Sequence, residues 1–291
     1  MKKIIVPTDF SQQAGFALDF ACEIGKKADS QVTLMHVIEY AKKQTTFLGS
    51  SSMNTMGSLT TGIEMDDIYF IELFKRRKSQ MAEVLGDPKY KGVKLNDKIM
   101  LGSPYHAIAE EIAEQNADLI IMGTTGVSNW EESLIGSLAE KVVRHAACPV
   151  LTLRSPVHLN DIKTIVFASD FKEKLPNYIP VIKRLQDFFE AEIHLVYINT
   201  PSHFVNQREI LKTITAFAEE NGFQRYQKHI YSHQHEEEGI VGFTEDFKMN
   251  MIIMTTAGRT GLSRIFEHSI AEDVVNFSKK PVVTINIQHV E

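Results

Sequence analysis

Two stretches in the first half of the chain have residue types and spacings suited to holding an anion. Met122-Gly123-Thr124-Thr125-Gly126 closes an apolar run, and after nine further residues Gly136-Ser137-Leu138 opens a helical pattern. Glycine there lets backbone N–H groups approach a phosphate with no Cβ in the way. A helix N-terminus behind the last glycine adds free donors and a partial positive charge. Thr124, Thr125 and Ser137 can donate hydroxyl hydrogen bonds to phosphate oxygens. The order strand, Gly-x2-Gly, nine residues, Gly-Ser, helix is more specific than its glycines taken singly. The second stretch, Pro7-Thr8-Asp9, ends the first apolar run. Asp9 could accept a hydrogen bond from an adenine amine or a ribose, or Asp9 or Ser11 could cap the helix that follows.

Other features near these motifs have structural readings. Ser137-Leu138-Ala139-Glu140 and Ser269-Ile270-Ala271-Glu272 both have capping-box spacing, in which the serine needs no ligand. Gly102-Ser103-Pro104 reads as strand end, N-cap and first helical residue, with the glycine able to border a pocket.

The elements that must position these residues alternate. Short β-rich runs fall near 3–7, 31–38, 93–101, 118–123 and 149–153, and helical patterns near 11–28, 64–86, 104–115 and 137–146. Runs such as Leu119–Met122 and Val150–Leu153 are too apolar for a half-exposed strand and fit a parallel sheet covered on both faces. Alternating β and α then predicts a doubly wound α/β sheet, with ligands beyond the carboxyl ends of the strands.

The whole pattern occurs twice. Lys3–Phe10 matches Thr164–Phe171, and Val32–Val37 matches Ile193–Ile198, both at an offset of 161. Ala117–Met122 matches Met249–Met254, and Gly136–Val143 matches His268–Val275, at an offset of 132. The second copy therefore lacks 29 residues between its second and fourth strands. Most of that loss is expected in Tyr40–Gly62, a Ser-, Thr-, Gly- and Met-rich stretch without period that reads as a long mobile loop, a lid or a partner-binding segment. Ser155–Asn160 contains Pro156 and reads as a linker between domains 1–154 and 161–291.

Gly-x2-Gly-x9-Gly-Ser, an Asp after the first strand and Cys148-Pro149-Val150-Leu151 in the last strand resemble the universal stress protein family, in a tandem form covering nearly the whole chain. The resemblance implies two Rossmann-like (adenine nucleotide alpha hydrolase-like) domains, each a five-stranded parallel sheet of order 3-2-1-4-5 with helices on both faces. It implies that Asp9 and Val37, with Pro7 and Thr8, border adenine. It places Met122, Gly123, Thr124, Thr125, Gly126, Gly136, Ser137 and Leu138 around ribose and phosphates of ATP, with or without magnesium. It also implies that the domains pair as a pseudo-dimer through strands near 149–153 and 281–286. In the second domain Thr255 and His268 stand in place of two glycines. Of the motif only Asp170, Gly258 and Ser269 are kept, so no ATP, or a weaker and differently posed one, is expected there.

Composition bounds the remaining readings. A net charge of −6 argues against a dedicated nucleic-acid binder. No apolar run approaches the roughly 20 residues of a membrane span. Met-Lys-Lys leads straight into Ile4-Ile5-Val6 without a signal sequence, and the two cysteines, Cys22 and Cys148, form no Cys-x-x-Cys, so a reduced, cytoplasmic protein is expected. His229, His233 and His235, followed by Glu236–Glu238, read as a solvated polar loop, although zinc could use such rings. Lys75–Lys78 reads as a solvated helix face, and Trp130 as a loop anchor or a lean-over residue for a nucleotide. A nucleotide-binding stress sensor with an unidentified protein partner, able to form a homodimer, is the leading expectation. A slow ATPase or nucleotidyl transferase, and a structural tandem without ligand, are the alternatives. No catalytic triad or metal–base set stands out. The Ser-Gly-Gly loop of relatives that cleave between α- and β-phosphates is absent after the first strand.

Overall fold

The computed structural model describes residues 1–39, 65–124, 136–172, 176–256 and 270–287. Tyr40–Gly62 and Trp130 lie outside the described residues, apart from the boundary with Glu39. The first copy runs β1 (Lys3–Pro7), α1 (Gln12–Ala28), β2 (Gln31–Ile38), α2 (Met65–Leu85), β3 (Lys94–Leu101), α3 (Pro104–Gln115), β4 (Leu119–Gly123), α4 (Ser137–His145) and β5 (Val150–Leu153). The second runs β6 (Thr164–Ala168), α5 (Ile179–Phe189), β7 (Glu192–Asn199), α6 (Gln207–Glu220), β8 (Tyr226–Ser232), α7 (Glu236–Asp246), β9 (Met251–Thr256), α8 (Ile270–Phe277) and β10 (Val282–Asn286). No described helix is long and apolar enough to cross a membrane.

All ten strands join one sheet of order β3-β2-β1-β4-β5-β10-β9-β6-β7-β8. Within each copy the ladders are parallel, which gives the expected 3-2-1-4-5 order twice. The copies meet where β5 runs antiparallel to β10, with Leu151 opposite Val283. Successive strand residues face opposite sides of a sheet. Ile4 and Val6 thus enter one core with α1, α5 and α6, while Ile5 enters another with α3, α4, α7 and α8. Both faces are covered, which is why the strands carry near-continuous apolar runs.

At the seam the helices also pair. Phe20 of α1 stacks on Phe189 of α5 at 6.3 Å. Arg144 of α4 reaches across to Glu272 of α8, with Nε 2.6 Å from Oε1 and Glu272 itself buried. Both cysteines are free and buried, and burial pushes each thiol up to about 12.

The repeat extends to backbone conformation. The non-glycine residues with positive φ among those described fall into three pairs at the repeat offsets: Phe10 with Phe171, Asp29 with Glu190, and Asn116 with Lys248. An L-residue in this region costs energy, so retention of all three pairs marks turns that the fold requires. The second copy is shorter in three places. The β2–α2 connection spans 39–64, whereas β7–α6 spans 200–206; α2 has 21 residues against 14 in α6; and the α2–β3 connection spans 86–93, whereas α6–β8 spans 221–225. The missing length is therefore divided among the helix and the connections on either side of it.

The polar cluster under α3 is rebuilt under α7. In the first domain Lys98 of β3 pairs with buried Glu111 of α3, Gln115 also donates to Glu111, and Thr33 Oγ1 lies 3.3 Å from Gln115 Oε1. Strand register and the repeat offsets place His194, His229, Phe243 and Phe247 at the corresponding positions. There His194 Nδ1 lies 2.9 Å from His229 Nε2, and the Phe243 ring is 5.0 Å from that of His229. His229 thus belongs to a strand and an aromatic cluster rather than to a solvated loop. Among the described residues no three His, Cys, Asp or Glu side chains gather to hold a metal.

Candidate functional site

The carboxyl ends of β1, β2 and β4 open onto a cavity of about 370 Å³, within the size range of small-molecule sites. Pro7, Thr8, Asp9, Val37, Met122, Gly123, Thr124, Gly136 and Leu138 all line it. Ser137 does not line it, and is an exposed residue in the first turn of α4. Thr125, Gly126, Gly258 and Ser269 lie outside the described residues. Asp170 is in the corresponding turn of the second copy, exposed beyond the end of β6.

The turn carrying Asp9 is built by local hydrogen bonds. Phe10 N–H donates to Thr8 Oγ1 at 2.9 Å, and Ser11 N–H donates to Asp9 Oδ1 at 2.9 Å. These bonds hold Phe10 at φ 66°. Ser11 is the N-cap of α1 and accepts from Ala14 N–H. Ser11, not Asp9, is therefore the helix cap. The second copy repeats the turn, with Phe171 N–H on Ser169 Oγ and Lys172 N–H on Asp170 Oδ1. The Asp-Phe repeat is thus a backbone device, and retention of Asp170 does not by itself mark a ligand site. Partial burial raises the Asp9 carboxyl, but the Ser11 hydrogen bonds outweigh it and leave Asp9 below the ordinary carboxylate value.

The two glycines flanking the cavity have different reasons for being glycine. A Cβ on Gly123 would stand 2.3 Å from the carbonyl oxygen of Gln13, so the first turn of α1 packs directly on the end of β4. Among the described residues, a Cβ on Gly136 would meet nothing within 4 Å. Gly136 is the N-cap of α4, so the capping box expected at Ser137 is not formed, and no described side chain caps this helix. Its N-terminus and those of α1 and α3, represented by Ser11 and Pro104, converge on one space. Ser103 occupies the N-cap position of α3 but makes no side-chain cap bond, and Gly102 has φ 126°, which favours glycine.

Several lining residues had no motif to announce them. Met35, His36 and Glu39 come from β2 and its end, and Ile108 comes from α3. His36 is 7% exposed, and its Nδ1 lies 2.7 Å from the Thr8 carbonyl oxygen. A titratable residue at a predicted strand end beside Val37 was the available signal. Arg77 of α2 is half-buried rather than solvated, 5.6 Å from the Phe10 ring, whose other neighbour is the His36 ring at 4.7 Å.

The second domain differs at this edge. Thr255 takes the position of Gly123. Helix α1 spans Gln12–Ala28, which the repeat maps onto 173–189, yet α5 covers only Ile179–Phe189. Residues 174 and 175, which the repeat maps onto Gln13 and Ala14, lie outside the described residues. Glu236, Glu237 and Glu238 form the first turn of α7, where α3 has Pro104, Tyr105 and His106.

Comparison with known proteins agrees with this architecture. A solved universal stress protein from Archaeoglobus fulgidus superposes with a TM-score of 0.74 over 98% of both chains, at 19% identity, a likeness of fold. A universal stress protein of Methanocaldococcus jannaschii is 32% identical over 155 residues, 53% of this chain and 83% of that one. A Staphylococcus aureus protein described by the same family name is 29% identical over 182 residues, 60% of this chain and 98% of that one. The model of the universal stress protein family matches residues 1–154 and again 162–286, and the chain belongs to that family as a tandem of two such domains.

Proposed function

We propose that the first domain, residues 1–154, binds an adenine nucleotide, ATP in the first instance, and that the chain acts as a stress-responsive binding protein through an unidentified protein partner in the cytoplasm. The convergence of three helix N-termini on one glycine-bordered cavity carries this reading. Helix N-termini supply uncommitted N–H donors and favour negative charge. Pro7, Val37, Met35 and Ile108 supply an apolar wall for a base, while Gly136 and the α4 N-terminus face the phosphate end. Magnesium, where it takes part, would enter on the phosphates of the nucleotide.

In the same reading the second domain, joined through the 155–160 connection, does not take ATP. Three glutamates on the first turn of α7 set negative charge where the first domain has none. Like charge at a helix N-terminus opposes a phosphate.

The test is calorimetric titration of the full chain with ATP, with and without magnesium, followed by assay of ADP release. Saturable binding at one site without multiple turnover supports the reading. Rapid turnover would make the protein an enzyme, and absence of binding would leave a structural tandem.

A further inference from the structure

We propose that nucleotide binding in the first-domain cavity takes up a proton at His36, so that the site binds more tightly as the pH falls. This rests on the preceding reading of the cavity as a nucleotide site.

The geometry fixes which nitrogen is available. A carbonyl oxygen only accepts, so the 2.7 Å contact to Thr8 requires the hydrogen on Nδ1 of His36. The neutral ring then has its lone pair on Nε2, and an added proton goes there. His36 is one of the residues lining the cavity; its ring lies beside that of Phe10, 4.7 Å away, and is almost wholly removed from solvent. It is also tied to the turn that presents Asp9, since Thr8 accepts from both His36 and, through Oγ1, Phe10.

The charged groups around the ring come from each neighbouring element. Asp9 in the β1–α1 turn favours the charged ring, and Arg77 of α2, beyond Phe10, opposes it. From β2 itself Glu39 lines the same cavity. Strand β3 offers uncharged Ile99 as the register partner of His36. Burial first, and then Arg77, hold His36 below its ordinary value, so the ring is neutral near pH 7 in the free protein.

A nucleotide brings several negative charges into the cavity that this residue borders. An anion in a partly desolvated site stabilises the imidazolium, and by linkage the imidazolium stabilises the bound anion by the same factor. The coupling belongs to the first domain alone, because Tyr197 stands at the position corresponding to His36 in the second.

The test uses the full chain, ATP, and calorimetry at pH 6.5 in two buffers of different ionisation enthalpy, on the wild type and on His36→Asn. Asparagine keeps a donor for the Thr8 carbonyl but does not titrate. ATP itself titrates near pH 6 at its terminal phosphate, so the readout is the difference between the two proteins. Proton uptake is expected in the wild type in excess of the variant. The tightening between pH 8 and pH 6 should be greater in the wild type, by up to about threefold for a half-unit shift. Equal uptake in both proteins overturns the proposal while leaving the nucleotide site standing; absence of ATP binding overturns both. If His36→Asn does not fold, NMR titration of His36 in the wild type decides: its midpoint must rise when ATP is added, and an unmoved midpoint overturns the proposal.

Discussion

The Cα of Gly123 faces the backbone of Gln13 so closely that a Cβ would lie 2.3 Å from both the carbonyl carbon and the carbonyl oxygen of that residue. A first glycine of a phosphate motif therefore has a packing duty independent of any ligand. Gly123→Ala should destabilise the first domain by about 3 kcal/mol, the upper end of ordinary overpacking costs, because backbone cannot move aside as a side chain can. Urea unfolding checks this. Unchanged stability would mean that α1 shifts freely away from β4. Gly123→Val is for the same reason no clean probe of nucleotide binding.

Gly136 is the clean probe. Its φ of −55° suits any L-residue, and no described residue stands within 4 Å of where its Cβ would be. Gly136→Val should leave the melting temperature unchanged and lower ATP affinity by roughly tenfold or more, since the new side chain projects where free N–H groups of α4 must meet phosphate. A variant that binds ATP like the wild type would place the phosphates elsewhere.

Lys98 is the partner of a carboxylate that is fully buried, Glu111. Lys98→Met should cost about 2 kcal/mol, less than the roughly 3–5 kcal/mol of a wholly buried broken pair because Lys98 is partly exposed. Lys98→Met combined with Glu111→Leu should recover most of that loss. The second domain indicates that this position accepts an apolar solution, since Phe243 corresponds to Glu111. Chemical denaturation of both variants measures the coupling.

His194 and His229 are both held below the ordinary histidine value, in each case first by burial. Glu192, 3.6 Å from His194 Nε2, pulls the other way, and Phe243 and Phe247 cover His229. A depressed folded value means that the unfolded chain takes up protons first. The stability these rings contribute is therefore complete above pH about 6.5 and is lost as the pH falls below that value towards the folded ones. The slope should reach up to about 1.4 kcal/mol per pH unit for each ring. Thermal melts between pH 5 and 8 should show the decline, and His229→Gln should flatten it; an unchanged slope in that variant would assign the pH dependence to other groups.

Much of this protein is legible in its sequence for one reason, repetition. A strand's apolar run, an Asp-Phe turn and a glycine before a helix act locally, so their recurrence at offsets of 161 and 132 fixes the existence, type and order of the elements. The glycines that border the cavity were legible because glycine is needed wherever backbone must be approached. The tertiary structure decided what depends on neighbours distant in sequence. Only the packing of α1 on β4 separates the duty of Gly123 from that of Gly136. Only the pairing of β1 with β2 brings His36 to the Thr8 carbonyl and into the cavity wall. Only the register of β7 with β8 joins His194 to His229. Propensity and periodicity act over a turn or a few residues, whereas burial, close contact and the shift of a titrating ring arise from elements that meet only when the sheet has formed.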